Sequence, residues 1–571
     1  MLNRNFPADN VTRRPIVKRL RIPAAVVLAS ALVLTGCSSN GATPNGEDTG
    51  TASSEDTGTA SSLEIQQGLS AGETDLYGPI DPAATTGGTV TIASQTEPPS
   101  LDPFHQASDA RIALSGLMYQ GLMYESASGI ALPLLAEKVD VSEDGLSYTF
   151  NLRDGVMFHT GDQMTAADVK YSYDYIRDPD NGSPGASDFQ AIEEIETPDD
   201  GTVVMNLGEP NAALLMTLTN KYGGVVPADY FDSPDAMNQL NEESVGTGPY
   251  ELVALERNSS LTLKRNKDYW GENGPYIDEL IFQFMPTSAA IVVALENGRV
   301  DMAVLPLVQD AQRFAGSEQI KLTTFPSLNH KALDLDSEYK QLKDVRVRQA
   351  IAAAIDKSVV AQAAAPDQHQ LLGTIVAGMQ ETWGLPLDEG PYQEQDIELA
   401  KELLAEAGYP DGFQIDLRII NGYDWMDAAA VVITQQLAQI GIQVETKKLE
   451  LGIWIENFQS RNMGFTMNDW GTQPDPNLLY YRHYHQQPEG VDFRNWNNKE
   501  ASELLDQGIA TVDREERVEI YRDFQKVFAE TVPTVMLYSP EWVVATNKRL
   551  RNYAHHPTGW YFGLVEAYVT E

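Results

Sequence analysis

Two short patterns in the sequence carry residue types that could perform chemistry. Gly68-Leu69-Ser70-Ala71-Gly72 matches the GxSxG pattern of a hydrolase nucleophile, which needs a strained turn between a strand and a helix, but the match falls in a polar, low-complexity stretch. His483 and His485 would point two imidazoles to one face of a strand, yet no third metal ligand lies nearby in the sequence. Solvent-exposed or stacking histidines are the preferred interpretation. The sequence contains no HExxH, GxxxxGK(S/T) or GxGxxG, so we expect no catalytic residue, no metal and no cofactor.

The single cysteine, Cys37, follows a short apolar run from Ile22 to Leu34, and basic residues outnumber acidic ones before that run. A permanent membrane helix needs about 20 apolar residues, so residues 1–36 are predicted to be a signal peptide. Leu34-Thr35-Gly36-Cys37 resembles the lipobox of bacterial lipoproteins. This resemblance implies a lipid on Cys37 and a chain anchored to the outer face of the cell membrane. Thr12 to Lys18 also resembles a twin-arginine motif, and the choice between Sec and twin-arginine export stays open.

The charge balance limits the partners. The 571 residues include 82 acids against 40 Lys and Arg, a formal net charge of −42. Because nucleic-acid binding requires clustered positive charge, this composition argues against DNA and RNA. With one cysteine, no intramolecular disulfide forms.

Residues 37–86 are predicted to be a disordered acidic tether. They contain two copies of EDTGTASS, beginning at Glu47 and at Glu55, and no Lys or Arg. A segment this polar cannot bury enough apolar surface to offset the entropy of ordering.

From Gly87 onward, strand and helix patterns alternate. Tyr148 to Leu152 alternates large apolar and polar residues, as a half-buried strand does. Between residues 413 and 446, a strand pattern, a helix pattern that ends at Gly441 and a second strand pattern follow one another. This βαβ order predicts the α/β class.

The segment from Ala136 to Tyr173 reads AEKVDVSEDGLSYTFNLRDGVMFHTGDQMTAADVKYSY. It is the most specific of several segments of the body that resemble the family 5 extracellular solute-binding proteins, the peptide-, dipeptide- and nickel-type receptors of ABC importers. The resemblance covers residues 87–571 in the expected order. The other matching segments are Leu101-Asp102-Pro103, Gly246 to Tyr250, Leu263 to Gly271, Asp344 to Lys357, Ala400 to Phe413, and Trp470 with Asp475-Pro476.

The resemblance implies an α/β fold of two lobes that close on a ligand. This is the periplasmic-binding-protein-like fold (Venus flytrap, type II) with an extra subdomain on the first lobe. The chain is expected to cross between the lobes near Phe325 and near Met536, as a hinge requires. The implied domains are a first lobe at 87–325, its extra subdomain at about 120–222, a second lobe at 326–535, and a return to the first lobe at 536–571.

The segment NDWGTQPDP, from Asn468 to Pro476, holds the candidate ligand residues. In peptide receptors of the family, the matching segment has an aspartate three residues after the tryptophan, and this carboxylate pairs with the ammonium of the peptide. In this sequence, the residue three positions after Trp470 is Gln473 and not an aspartate. Either Asp469 or Asp475 substitutes, or the ligand has no free ammonium, since buried charge needs a partner. The candidate ligand-binding residues are Asp469, Trp470, Gly471, Thr472, Gln473 and Asp475.

The resemblance implies a receptor, not an enzyme. We expect a monomer that captures a small solute outside the cell and delivers it to an ABC permease and ATPase complex. The solute favoured by the resemblance is an oligopeptide. Two alternatives stay open at this point. One is a lipid-anchored extracellular hydrolase that uses carboxylates, and the other is a surface solute sensor without a permease.

Overall fold

The computed structural model describes residues 69–70, 81–105, 114, 116–126, 129–219, 222–233, 236–305, 308–366, 368–387, 389–471, 474–485 and 494–570. The predicted signal peptide, Cys37, most of the predicted tether, Thr472 and Gln473 lie outside these residues. Within them, no helix is long and apolar enough to cross a bilayer.

The strands of the described residues are numbered in chain order. They are β1 Leu69–Ser70, β2 Thr89–Ser94, β3 Met123–Glu125, β4 Ala131–Pro133, β5 Ala136–Val141, β6 Ser147–Leu152, β7 Ile192–Asp199, β8 Thr202–Leu207, β9 Tyr250–Glu256, β10 Ser260–Arg265, β11 Glu279–Phe284, β12 Met302–Val304, β13 Ile320–Phe325, β14 Asn329–Leu335, β15 His369–Leu371, β16 Gln414–Ile420, β17 Gln443–Leu449, β18 Phe465–Gly471, β19 Thr534–Pro540, β20 Trp542–Asn547, β21 Leu550–Arg551 and β22 Tyr568–Val569.

The α-helices of the described residues are numbered in the same way. They are α1 Ala166–Arg177, α2 Leu214–Thr217, α3 Ala236–Gln239, α4 Ser288–Glu296, α5 Val308–Ala311, α6 Val345–Ala354, α7 Lys357–Ala364, α8 Gln380–Trp383, α9 Ile397–Glu406, α10 Asp424–Ala438, α11 Leu451–Gln459, α12 Pro476–Tyr484, α13 Lys499–Ala510 and α14 Arg514–Thr531. Short 3-10 turns occur at Pro179–Asn181, Ala186–Phe189, Tyr230–Asp232, Gln312–Phe314, Ala377–Met379 and Phe562–Leu564.

A seven-stranded sheet forms the first lobe, in the order β13-β20-β12-β2-β11-β10-β9. Its central strand β2 runs parallel to β11 and β12, and Val90 and Ile92 on β2 are fully buried. A second, antiparallel sheet has the order β1-β5-β6-β8-β7; β5 to β8 lie in the region predicted as the extra subdomain, whereas β1 lies in the segment predicted as the tether. Tyr148, Phe150 and Leu152 on β6 are buried on one face of it, as the alternation predicted.

A six-stranded sheet forms the second lobe, in the order β15-β19-β14-β18-β16-β17. β16, α10 and β17 make the predicted βαβ unit, and β16 pairs in parallel with β17. Ile433 and Leu437 on α10 are fully buried against this sheet. Gly441 follows α10 with a φ of 83°, a left-handed conformation that glycine adopts without strain.

Among the residues that the structure describes, the chain crosses between the two sheets twice. β13 belongs to the first-lobe sheet and β14 to the second, so the first crossing lies at residues 326–328, next to the predicted Phe325. The second differs from the prediction, because Met536 lies inside β19 and pairs with Ala332 of β14. β19 stays in the second lobe through Pro540, and the crossing is at Glu541.

The buried apolar residues divide in the same way. One group of core clusters consists of buried residues between Val90 and Ile320 and between Val543 and Ala567. The other group consists of buried residues between Leu328 and Tyr538. The predicted two-lobed α/β fold is therefore confirmed.

Candidate ligand site

The candidate segment lies at the edge of the second-lobe sheet where the chain crosses between the lobes. β16, β17 and β18 run parallel, so their carboxyl ends share one edge, and β18 ends there with Trp470 and Gly471. β14 begins at this edge, because Asn329 pairs with Gly471, and β19 ends at it. Open α/β sheets bind ligands outside the carboxyl ends of their strands. The position of Trp470 therefore suits the wall of a cleft.

Trp470 is half-buried between two helices. Its ring centroid is 5.5 Å from Phe458 and 6.4 Å from Trp454, both on α11, and 5.3 Å from His483 on α12. The indole is thus supported by aromatic neighbours on two sides while part of its surface stays exposed. A rigid, partly exposed indole offers a flat surface on which peptide bonds, rings or sugars can stack.

Asp469 points to the opposite face of β18 from Trp470 and forms an ion pair with Lys331. The two residues are directly opposite each other on β18 and β14. The Lys331 side chain is only 10% exposed, and its Nζ lies 5.1 Å from the centre of the Trp425 ring. The cation that faces Asp469 therefore comes from the protein itself.

Asp475 is the N-cap of α12. Its carboxylate accepts a hydrogen bond from the backbone N–H of Asn477 at 2.8 Å and two more from the guanidinium of Arg517, at 2.7 and 2.8 Å. Burial disfavours the charged form of Arg517, but the adjacent Asp475 outweighs this effect, so the pKa of Arg517 is raised above its usual value. Asp475 thus joins the start of α12 to the first turn of α14.

A buried polar network lies behind Trp470. Asp334 on β14 accepts hydrogen bonds from Arg494 at 2.6 Å and from Thr534 at 2.7 Å, and it also contacts the Asn468 side-chain amide. The Arg494 and Asp334 side chains are each 1% exposed, and the Arg494 guanidinium lies 4.4 Å from the centre of the Tyr484 ring. The network fixes the inner part of β18 and the end of α12.

His330 lies opposite Trp470 on the same ladder and is almost fully buried. Burial, followed by the positive charges of Arg494 and Lys331, lowers the pKa of His330 to about 3. The imidazole is therefore neutral near pH 7.

Sequence reasoning placed Asp469, Trp470, Gly471 and Asp475 near one another, and the structure does bring them to one edge. It missed the internal cations that pair with the two aspartates. A sequence signal existed for Asp475, because aspartate followed by proline is a helix start. No local signal marked Lys331 or Arg517, since both lie far from their partners along the chain.

His483 and His485 pack on aromatic rings, in agreement with the preferred interpretation of stacking histidines, but the expected strand is a helix. His483 lies on α12, so it and His485 do not share one face of a strand. His483 packs on Trp470, and His485 stacks on Tyr481 with ring centroids 4.3 Å apart. Within the described residues, no group of three or more His, Cys, Asp or Glu side chains is arranged to hold a metal.

The structure describes only two of the five residues of the GxSxG match. Leu69 and Ser70 form the two-residue strand β1, where they pair with Val139 and Lys138 of β5. At these positions the chain is an edge strand, not a turn that leads into a helix.

The first lobe touches the second at α13 and at Pro474 of the candidate segment. The backbone N–H of Ala212 donates a hydrogen bond to the carbonyl oxygen of Ile509 at 2.8 Å. Gly129 lies so close to Pro474 that a Cβ added to it would be 2.6 Å from the proline Cβ. The lobes therefore meet next to the edge that carries Trp470.

Comparisons with known proteins agree with this geometry. A family model described as "Bacterial extracellular solute-binding proteins, family 5 Middle" matches residues 131–490. The dipeptide-binding protein of Escherichia coli (strain K12) is 27% identical over 508 residues, which cover 84% of this chain and 94% of that protein.

Two solved structures also align over nearly their whole length. The PBP AgaA in complex with agropinic acid, from A. tumefacien R10, has a TM-score of 0.71 and 28% identity and covers 85% of this chain and 99% of AgaA. The periplasmic binding protein DppA of Helicobacter pylori in complex with peptide STSA has a TM-score of 0.72 and 25% identity, with the same two coverages.

Proposed function

Because this chain belongs to family 5 of the bacterial extracellular solute-binding proteins, we propose that it captures a small peptide outside the cell and delivers it to an ABC permease and its ATPase. Proteins of this family are binding proteins of transport systems and not enzymes, so the carboxylate hydrolase is no longer a candidate. The observation that carries the proposal is the position of Trp470, half-buried at the strand-end edge beside both crossings.

The ligand class is argued from the site and from relatives. A flat indole beside strand ends suits a peptide, since an indole stacks on peptide bonds with little demand on the side chains. One relative is named for dipeptides and another was solved with the peptide STSA. AgaA was solved with agropinic acid, so a different small solute is the second candidate.

Capture would proceed by closure of the two lobes. In the described part of the chain, two short connections join the lobes, at residues 326–328 and at Glu541, as hinge closure requires. A ligand that contacts both lobes favours the closed state by its extra affinity for that state. Closure would also display a surface that the permease recognises.

The lipid anchor remains part of the proposal. Cys37, joined to diacylglyceryl, would hold the protein at the outer face of the membrane, and residues 38–68 would act as a tether of variable reach. The tether predicted to extend to residue 86 ends earlier, because Leu69 and Ser70 pair with β5 and the Tyr568 hydroxyl donates a hydrogen bond to Asp81.

Native mass spectrometry of the purified protein tests solute capture, because a receptor of this kind can retain its ligand. We expect a co-purified small molecule that is released unchanged and that rebinds in calorimetry. Uptake of that molecule should fall in a strain that lacks the protein. Binding without any loss of uptake would instead favour a surface sensor without a permease.

A further inference from the structure

The two aspartates next to Trp470 are both paired with cations of the second lobe. Asp469 faces Lys331 across the β14–β18 ladder, and Asp475 accepts two hydrogen bonds from Arg517. Each carboxylate thus already has its counter-charge.

These cations cannot give up their partners without cost. The Arg517 side chain is 5% exposed and that of Lys331 is 10% exposed. If a ligand ammonium took either carboxylate, the displaced cation would stay buried without a counter-charge, which is strongly unfavourable. The pairs therefore oppose binding of an ammonium at this edge.

The polar atoms that flank Trp470 on its side of the ladder carry no charge, and the Asp334 carboxylate further along the same face is buried and already paired with Arg494. His330 lies opposite Trp470, Asn468 lies two residues before it, and all three side chains share one face of the β14–β18 pair. Trp470 Nε1, His330 Nδ1 and Asn468 Oδ1 are buried and have no hydrogen-bond partner among the described residues. This neutral group of atoms offers an ammonium no compensating charge.

We propose that the ligand group that contacts Trp470 is uncharged, an amide or a hydroxyl group and not a free ammonium. The inference rests on the proposed function and specifies its substrate class. A peptide would have to carry a blocked amino terminus or bind with its terminus away from Trp470, whereas a sugar-like solute would present hydroxyl groups.

The experiment compares three probes on the purified full-length protein by calorimetry. The probes are a mixture of tripeptides with free amino termini, the same mixture after N-acetylation, and maltotriose. We expect acetylation to change the Kd by less than about tenfold. Binding of maltotriose alone would also support uncharged recognition, with a sugar as the source.

Two outcomes would overturn the inference. If free peptides bind and acetylation weakens them by about a hundredfold or more, an ammonium is recognised, while the proposed function stands. If none of the three probes binds, the inference and the peptide proposal fail together.

A variant tests the role of Lys331 directly. Lys331→Met removes the cation that faces Asp469 and keeps the apolar length of the side chain, so affinity for free peptides should rise relative to acetylated ones by about tenfold. Lys499→Met, which removes the lysine of an exposed pair with Glu503, should leave this ratio unchanged. An unchanged ratio in a folded Lys331→Met protein would contradict the inference, and Lys331→Gln repeats the test if the methionine variant does not fold.

Discussion

Arg517 donates two hydrogen bonds to Asp475, from Nη1 to Oδ2 at 2.7 Å and from Nη2 to Oδ1 at 2.8 Å. A bidentate pair of this kind fixes orientation as well as distance. Because Asp475 caps α12 and Arg517 lies in the first turn of α14, the pair joins two helices of the second lobe. It thereby positions the end of the segment that carries Trp470.

Asp475→Asn should lower the free energy of unfolding of the ligand-free protein by about 3 to 5 kcal/mol, because Arg517 stays buried without its counter-charge. Asparagine is itself a good N-cap, so loss of the cap contributes little. Urea unfolding measures the change. The double variant Asp475→Asn, Arg517→Met should recover part of the loss, and a single variant as stable as the natural protein would show that the pair does not hold α12 and α14 together.

The sequence predicted much of the fold because hydrophobic periodicity is a local property. The βαβ unit between residues 413 and 446 and the alternating strand at Tyr148 to Leu152 are examples. The return to the first lobe was misplaced for a physical reason. β19 is buried almost throughout, so its residues carry no alternation that tells which sheet it joins.

The site was predictable only in part. The motif singled out Trp470 as a candidate ligand residue, whereas its position at the end of β18 comes from the structure. The pairing of Asp469 with Lys331 depends on which strands are neighbours in the sheet, and that order follows from the whole fold. The His-Tyr-His alternation suggested a strand, but the Asp475-Pro476 start makes this segment a helix.

Trp470→Ala should weaken binding of the co-purified ligand by about tenfold to a hundredfold, because a large rigid contact surface is lost. Trp470→Phe keeps an aromatic face and should retain most of the affinity. Calorimetry gives both Kd values, and melting curves verify that each variant is folded. Equal affinity for the alanine variant and the natural protein would place the ligand elsewhere.

Cys37→Ser should release an otherwise intact protein from membranes, because the lipid-bearing thiol is removed. Membranes are washed with salt before fractionation, since salt screens binding by charge alone. Immunoblots of the membrane and soluble fractions give the distribution. A serine variant that stays in the washed membranes would contradict lipid anchoring at this residue.

Acid should destabilise the protein through three buried histidines. Burial lowers the pKa of His330 and of His555 to about 3 and that of His556 to about 4. Between pH 6.5 and these values the unfolded chain binds more protons than the folded one, so their contribution to stability is complete above pH 6.5 and is lost as pH falls. At pH 5 the loss is about 2 kcal/mol for each histidine.

His330→Gln tests this account because it removes one of the three histidines that take up a proton when the protein unfolds in acid. Between pH 6 and pH 4, the unfolding free energy of the variant should fall less steeply than that of the natural protein, by about 1.4 kcal/mol per pH unit. Denaturant unfolding at a series of pH values provides the two slopes. Parallel slopes would mean that His330 does not remain neutral in the folded protein.

Lys357 should produce the opposite trend at alkaline pH. Its ammonium donates hydrogen bonds to the Leu372 carbonyl oxygen at 2.9 Å and to Gln393 Oε1 at 3.2 Å, and burial lowers its pKa to about 8. Between pH 8 and about 10.4, the usual lysine value, the unfolded chain keeps the proton that the folded protein has released, so this site adds stability as pH rises.

Lys357→Met lacks this titration, whereas the loss of the two hydrogen bonds affects the variant equally at every pH. The unfolding free energy of the natural protein minus that of the variant should therefore rise by about 3 kcal/mol between pH 7 and pH 10.5. Because all other groups titrate in both proteins, a difference that stays constant with pH would show that Lys357 is not a buried, destabilised ammonium at neutral pH.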